Sequence, residues 1–255
     1  MWQRLRQARL LSPSLIAAGV LALLIGLGVW QLQRLQWKEA LLARLAARVA
    51  AEPMSLAAVE RQWRTNEDVE YLHAVARGRF HHDKERFVYA PQPEGLGWQV
   101  YTPLEIAAGR ILWVNRGWVD DLHKTPPNRL AGQIGGDTEV RGLIRRPAPQ
   151  GAFTPNNDWQ GNLWYWPDLA QMTVSAFGPG VASLPFRLEA DREPAPPGGL
   201  PRGGVTRLDL PNPHLQYAIT WFALALTLIA VYFAFVRHRL ALAGAPGAGQ
   251  SRRRG

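Results

Sequence analysis

Residues 211–222 read PNPHLQYAITWF, a polar segment with two prolines that leads directly into an apolar run. No residue from 215 to 236 carries a charge, and a helix of that length, at about 1.5 Å per residue, covers the ~30 Å hydrocarbon core of a bilayer. Asn212 is the predicted N-cap, and Pro213 suits the first helical position because proline lacks the N–H that would stay unbonded there. The segment therefore predicts a transmembrane helix over residues 214–236.

His214 is placed in the outermost turn of that helix, and Tyr217 and Trp221 follow it at helical spacing, so the three side chains share one face. One interpretation is an interfacial anchor, because such residues are polar at one end and apolar at the other. The other is a haem site, in which a neutral imidazole binds the iron and the aromatic rings cover the flat macrocycle. The residues alone leave both interpretations open.

A second apolar run extends without a charge from residue 10 to residue 33, and arginines bound it at both ends. It is too long for the core of a signal peptide. GVWQ at 28–31 leads into an amphipathic stretch rather than a cleavage site of small residues. We therefore expect a first, uncleaved transmembrane helix over residues 10–33.

The charges of the chain are unevenly distributed around these two runs. All 20 Asp and Glu lie between them, whereas the tails, residues 1–9 and 237–255, carry eight arginines and no acidic residue. Basic tails predict cytoplasmic termini, with residues 34–213 on the opposite side. The formal net charge of +9 thus reflects membrane topology rather than nucleic-acid binding. Because nine residues are too few for a mitochondrial transit peptide, we expect a multi-pass protein of a bacterial inner membrane with a periplasmic domain.

The predicted periplasmic domain begins with helix and continues as β-structure. Leucines at helical spacing and a serine-initiated segment predict a helical part over residues 38–63. From about residue 71 to 190, apolar residues alternate and Gly and Pro punctuate the chain. The predicted strands are 74–80, 86–90, 98–104, 110–115, 138–145, 162–166 and 185–189. Few helix-length segments separate them, so we expect mainly antiparallel pairing in a small barrel or sandwich. Residues 191–213, rich in Pro and Gly at 195–204, are the predicted tether back to the membrane.

No pattern in the chain indicates catalysis. The absence of cysteine excludes disulfides, thiolate copper sites, zinc–cysteine clusters and cysteine nucleophiles. The sequence also lacks phosphate-binding glycine loops, nucleophile elbows and His-Glu-x-x-His zinc motifs. His81 and His82 would point to opposite faces of a strand, which makes them a poor chelating pair. We therefore expect a protein that is not an enzyme.

Residues 114–119 read VNRGWV, and Gly117 follows an apolar strand at a place where a bulge would re-aim the neighbouring side chains. One interpretation of this motif is structural, with Trp118 in the core. The other is functional, with Arg116 facing outward and donating to a carboxylate such as a haem propionate or an acidic group of a partner.

Four blocks of the sequence resemble the signature blocks of the Surfeit locus protein one family, and they occur in the family's order. They are LGVWQ at 27–31 with Arg34 and Lys38, GWQVYTPL at 97–104, VNRGWV at 114–119 and NPHLQYAITWF at 212–222. The resemblance extends from the first predicted transmembrane helix to the second and excludes the tails. Pro213 departs from the pattern, since many members have a second Asn before the histidine.

The resemblance implies an assembly factor for haem-copper cytochrome c oxidase that assists insertion of haem a into the catalytic subunit. It also implies that His214 is the haem-iron ligand of a transient haem a site at the outer mouth of the helix pair. The other expected cofactor-binding residues are Tyr217, Trp221 and Arg116. The other motif residues are Gly28, Trp30, Gln31, Asn115, Gly117 and Trp118.

The partners expected from the resemblance are the oxidase catalytic subunit, haem a synthase and the lipid bilayer, with no nucleic acid. The alternative is a membrane scaffold that stabilises an oxidase assembly intermediate without binding haem. In that case His214 is only an interfacial anchor.

Overall fold

The structure, a computed structural model, describes residues 10–147, 149–206 and 211–244. Its helices in these ranges are α1 (Leu11–Ala50), α2 (Leu56–Asn66), α3 (Leu169–Phe177) and α4 (His214–Gly244). Its strands are β1 (Met54–Ser55), β2 (His73–Phe80), β3 (Arg86–Tyr89), β4 (Gly97–Ala107), β5 (Arg110–Asp120), β6 (Asp137–Arg145), β7 (Leu163–Trp164) and β8 (Ala182–Ala190). The chain divides into two compact units, Met1–Ala43 with Asp209–Gly255, and Arg44–Leu208. We call them the helical unit and the β unit.

The helical unit contains two long apolar helices, α4 and most of α1, which pack against each other. Both are long and apolar enough to cross a membrane. Gly28 and Gln31 of α1 are buried, as are Ala218 and Ala225 of α4, and each pair has the spacing of residues on one helix face. Small residues at such a seam let the two backbones approach closely, as is common where helices pack inside membranes. Two candidate membrane-spanning helices thus flank the β unit in sequence, as predicted.

The β unit is built around a closed barrel of five strands. The strands follow the order β2, β6, β8, β5 and β4, and β2 closes the ring by pairing with β4, where Arg79 lies opposite Glu105. Four of the five pairings are antiparallel, whereas β5 and β8 are parallel. Every predicted strand is present. Of the two predicted architectures, the barrel is the one observed.

Strand β5 is apolar because it is buried on both faces. Its Leu112 and Val114 belong to a cluster that draws on all five barrel strands and on α2. Ile111 and Trp113 belong to a second cluster, which is covered by α3. Side chains of a strand alternate between the two faces of its sheet, so each face needs its own apolar cover. The VNRGWV motif therefore continues one of the most buried strands of the domain.

Helix α3 was not predicted from the sequence. Parallel strands need a long crossover connection rather than a hairpin, and α3 lies in the connection that leads to β8. Asp168 caps the helix by accepting a backbone N–H at 3.0 Å. Leu169, Met172 and Ala176 then bury one helix face with Trp113. A purely hairpin-connected β domain is therefore not what this sequence forms.

The Pro- and Gly-rich stretch at 195–204, predicted as part of a flexible tether, is instead attached to the barrel. Trp118 and Arg202 exchange two backbone hydrogen bonds of 2.9 Å each. A Cβ on Gly203 would lie 2.1 Å from the carbonyl oxygen of Asp191, so glycine permits two backbones to approach closely there. Gly203 therefore serves packing.

The start of α4 also differs from the predicted cap. The helix begins at His214, and the N–H of Tyr217 donates to the carbonyl of Pro213 at 3.2 Å. The side-chain oxygen of Asn212 is buried and has no hydrogen-bond partner within the described residues. Asn212 therefore does not cap this helix, and the carbonyl of Pro213 accepts its first bond.

Candidate functional site

His214, the first residue of α4, is hydrogen-bonded to α1 within the helical unit. Its Nδ1 lies 2.8 Å from Oε1 of Gln31, and Gln31 is only 9% exposed. A carbonyl oxygen can only accept, so the Nδ1–H donates, and in the neutral imidazole Nε2 carries the lone pair. Within the part of the chain that the structure describes, no hydrogen-bond partner contacts Nε2. The imidazole therefore has one nitrogen fixed by the neighbouring helix and the other available to a ligand.

Two more contacts hold the helices together in this region. A Cβ on Gly28 would lie 2.7 Å from the ring of Phe222, so the absence of a side chain makes room for that ring. The ammonium group of Lys38 donates to the carbonyl of Pro211, just before α4. Both contacts lie within the helical unit and fix the separation of α1 and α4 near His214.

Aromatic side chains surround this end of the helical unit. Tyr217 is 53% exposed and Trp221 is partly buried, and helical spacing places both on the face of α4 that carries His214. Trp30, which belongs to the predicted motif, is exposed and does not enter the helix seam. The guanidinium of Arg34 lies 4.1 Å from the ring centroid of Trp37. We call this end of the helical unit, around His214 and Gln31, the helix mouth. It has exposed aromatic rings beside an imidazole.

Arg116 is buried in the β unit, so the prediction that it faces outward is wrong. It is 6% exposed, and its Nη1 lies 3.7 Å from a carboxylate oxygen of Glu85. Its Nη2 donates to the carbonyl of Gly132, and its guanidinium carbon lies 5.0 Å from the ring centroid of Phe80. Arg129 pairs with the same carboxylate. The guanidinium is therefore used by partners inside the domain.

Glu85 is the centre of this buried cluster. Burial raises the pKa of its carboxyl group, but hydrogen bonds from His82 and Arg129, with the charges of Arg129 and Arg116, outweigh burial and hold the pKa at about 2. Burial lowers the pKa of Arg116 to about 10, although the charge of Glu85 opposes that change. Both groups stay ionised at neutral pH. The cluster is an internal ion-pair network in which one carboxylate lies between two arginines.

The rest of the VNRGWV motif forms the predicted bulge. The register of β4 against β5 shifts between Gln99 and Tyr101, and Gly117 takes a φ of 125°, which glycine adopts without strain. Asn115 stabilises the bulge by accepting the N–H of Gly117 at 3.1 Å and donating to Gln99 at 3.1 Å. Trp118 is buried. The structural interpretation of this motif is therefore confirmed for these three residues.

His81 and His82 of the β unit are hydrogen-bonded to groups within the same unit. His81 lies 2.9 Å from a carboxylate oxygen of Glu105, and His82 contacts Glu85 and the carbonyl of Ile134. In the described part of the chain, no group of three or more His, Asp or Glu side chains could hold a metal ion. His82 begins a short 3-10 helix, His82–Lys84, so these two histidines do not lie on a strand, contrary to the expectation from the sequence.

Sequence reasoning missed two of these connections. Gln31 was predicted as a motif residue but not as the partner of His214. Its position three residues after Gly28, on the same helix face, was the available signal. No sequence pattern indicated that Glu85 is buried, because an acidic residue between two strands is usually solvated. Its burial follows from partners that are distant in sequence, among them Arg129.

The fold and the site together define a class of protein in which a β-barrel domain lies in sequence between two helices long and apolar enough to cross a membrane, and a histidine begins the second helix. A SURF1 family model matches residues 18–226 of the chain. A SURF1-like protein of Monosiga brevicollis is 36% identical over 231 residues, which cover 84% of this chain and 83% of that protein. The chain therefore belongs to the SURF1 family.

Two vertebrate relatives have comparable sequence identity to this chain. Surfeit locus protein 1 of Xenopus tropicalis is 35% identical over 215 residues, covering 78% of this chain and 67% of that protein. The protein of the same name from Homo sapiens is 34% identical over 239 residues, covering 87% and 75%. The family-model match, residues 18–226, includes most of α1, strands β1 to β8 and the first part of α4.

Proposed function

We propose that this protein is an assembly factor for cytochrome c oxidase, and that it holds haem a transiently at the outer mouth of its helix pair while haem a is inserted into the catalytic subunit. Family membership supports the assembly role. The haem role rests on one observation, which is the orientation of His214. Its Nδ1 is bonded to Gln31, and its Nε2 has no hydrogen-bond partner among the described residues.

The residues of the helix mouth suit a haem. An imidazole nitrogen with a lone pair is a common axial ligand, and a bound haem supplies a redox-active iron in a flat, conjugated ring. Tyr217 and Trp221 offer ring surface on the same face as His214. Arg34, exposed on α1, offers a cation for a propionate, a role that Arg116 is poorly placed to fill because its donors are used internally. A single protein ligand suits temporary holding, because few bonds must break on release.

The proposal also covers location and class of action. We propose a bacterial inner-membrane protein with cytoplasmic termini and a periplasmic β unit, because the tails carry arginines and no acidic residue. We propose that it acts as a chaperone rather than an enzyme. Glu85, whose pKa is held at about 2, is buried and bonded to arginines, which suits structure rather than catalysis. The oxidase catalytic subunit and haem a synthase are the proposed protein partners.

The test is a pair of histidine variants in cells that make haem a. His214→Ala should accumulate normally, because a side chain at a helix end contributes little to membrane insertion, but the purified protein should lack the Soret absorbance. His238→Ala is the matched control, since His238 is an exposed residue of the same helix. It should retain full haem content. Pigment extraction and mass measurement identify the bound haem.

Full haem content in the His214→Ala variant would overturn the ligand assignment. If the wild-type protein restores oxidase assembly but never carries haem, the scaffold alternative is correct. Oxidase spectra of membranes from the same strains distinguish these outcomes.

A further inference from the structure

We infer that Gln31 is a positioning residue that fixes the tautomer and ring orientation of His214, so that Nε2 is presented as the ligand atom. This inference rests on the proposed haem role of that histidine. Gln31 lies on α1 and His214 on α4, so the bond joins the two helices. The ligand is therefore prepared by a contact between helices rather than by its own helix.

The chemistry of the bond determines which nitrogen is free. Oε1 of Gln31 is an acceptor, so the proton of a neutral imidazole is held on Nδ1. Ligating histidines commonly donate their second N–H to a carbonyl or carboxylate, which raises ligand basicity and fixes the ring plane. The Gln31 amide provides such an acceptor. The structure thus has a supporting contact for the ligand as well as the ligand itself.

Burial makes this contact stronger than an exposed one. Gln31 is 9% exposed, and water competes poorly for a side chain that is withdrawn from it. The nearby Gly28 permits the helices to approach, since a Cβ there would lie 2.7 Å from the Phe222 ring. The helix separation at Gly28 and the bond at Gln31 are one turn apart, so close packing keeps Gln31 within reach of the imidazole.

The first experiment needs no haem. Full-length protein with ¹⁵N-labelled histidine is placed in lipid nanodiscs, and the His214 signals are assigned by comparison with His214→Ala. The wild type should show a single tautomer with the proton on Nδ1. Gln31→Leu, which removes the acceptor, should give a mixture or the opposite tautomer. Gln33→Leu, at an exposed position of the same helix, should resemble the wild type. An unchanged tautomer in Gln31→Leu would overturn the inference.

The second experiment adds haemin to the same nanodiscs. Gln31→Leu should bind it about 10–100-fold more weakly, the usual cost of removing a supporting contact to a ligand, whereas Gln33→Leu should bind as the wild type does. Gln31→Glu keeps an acceptor and strengthens it. It should therefore retain binding while the reduction potential of the bound haem falls, because the imidazole gains imidazolate character. A purely structural role would lower thermal stability in Gln31→Leu without changing affinity or potential, and that result would overturn the inference.

The two proposals fail in different ways. If wild-type protein does not bind haemin or haem a, the proposed haem role fails, and the haem-free tautomer measurement still decides whether Gln31 orients His214. If haem binds normally in every Gln31 variant, the haem role stands and the positioning role is overturned.

Discussion

A single guanidinium connects distant parts of the β unit at the scale of one residue. Arg116 contacts Phe80 and Glu85, which come from the end of β2 and the link to β3, and the carbonyl of Gly132, which lies between β5 and β6. Removing Arg116 would leave Glu85 paired with Arg129, but it would take the donor away from the buried carbonyl of Gly132 and the guanidinium away from the ring of Phe80. Arg116 therefore stabilises the domain.

Arg116→Ala should lower the free energy of unfolding by about 1–3 kcal/mol, because the buried carbonyl of Gly132 loses its donor while Glu85 keeps Arg129 as its partner. Arg77→Ala is the control. Arg77 pairs with Glu139 but its side chain is 82% exposed, so its loss should cost no more than about 1 kcal/mol. Urea unfolding of the full-length protein in detergent, followed by tryptophan fluorescence, measures both. Equal stability of the two variants would mean that the buried network contributes little.

Single-residue placement was the least predictable part of the molecule. The bulge at Gly117 was predictable because glycine after an apolar strand signals local backbone geometry. The burial of Arg116 was not, because it depends on Glu85 and Arg129, whose approach is set by the barrel. The orientation of His214 was predictable only to the helix face, since its partner Gln31 lies on the other helix.

At the scale of elements, the helices of the helical unit meet at a seam of small residues. Gly28 is buried there, whereas Gly26, two residues earlier, has nothing within 4 Å of a Cβ. The same helix therefore provides a packed and an open glycine. The same substitution at Gly28 and at Gly26 changes helix propensity in the same way, but only the substitution at Gly28 should push the two helices apart.

Gly28→Leu should force the Phe222 ring away and cost about 1–3 kcal/mol, the usual effect of overpacking, and it should reduce haem content by disturbing the nearby mouth. Gly26→Leu should raise the stability by no more than about 1 kcal/mol, the gain in helix propensity, and should leave the Soret absorbance unchanged. Thermal unfolding and absorbance spectra of both purified variants test this. A Gly28→Leu protein as stable as the Gly26→Leu control would show that the seam does not require glycine.

Among the elements, the strands and long helices were predicted and α3 was not. Alternating apolar residues reveal a strand because the period is local. Asp168 with Gln171, followed by buried Leu169 and Met172, was a short capping pattern that could have revealed α3. The parallel placement of β8 beside β5 had no local signal, because pairing partners depend on the whole barrel.

At the scale of the whole molecule, the two apolar helices and the distribution of charge predict the topology. Two spans place both termini on one side of the membrane, and arginine-rich tails favour the cytoplasm. Residues 1–9 and 245–255, which form the first predicted tail and most of the second, lie outside the described residues. The orientation is thus a prediction from sequence.

The absence of native cysteine makes this orientation directly testable. Ala152→Cys, at an exposed position of the β unit, should react with an impermeant maleimide in intact cells. Ser251→Cys, in the basic tail, should react only after the cells are permeabilised. The opposite pattern would reverse the orientation, and reaction of both in intact cells would contradict a two-span topology.

The position of β8 in the barrel has a consequence for the order of folding. This strand lies between β5 and β6, although it is the last of the five in sequence. During synthesis, β2, β4, β5 and β6 emerge first, and the facing edges of β5 and β6 stay open until residues 182–190 are available. Open strand edges are sites of mispairing and aggregation. A nascent chain that stalls before residue 190 should therefore depend on general chaperones and be an early target for proteases.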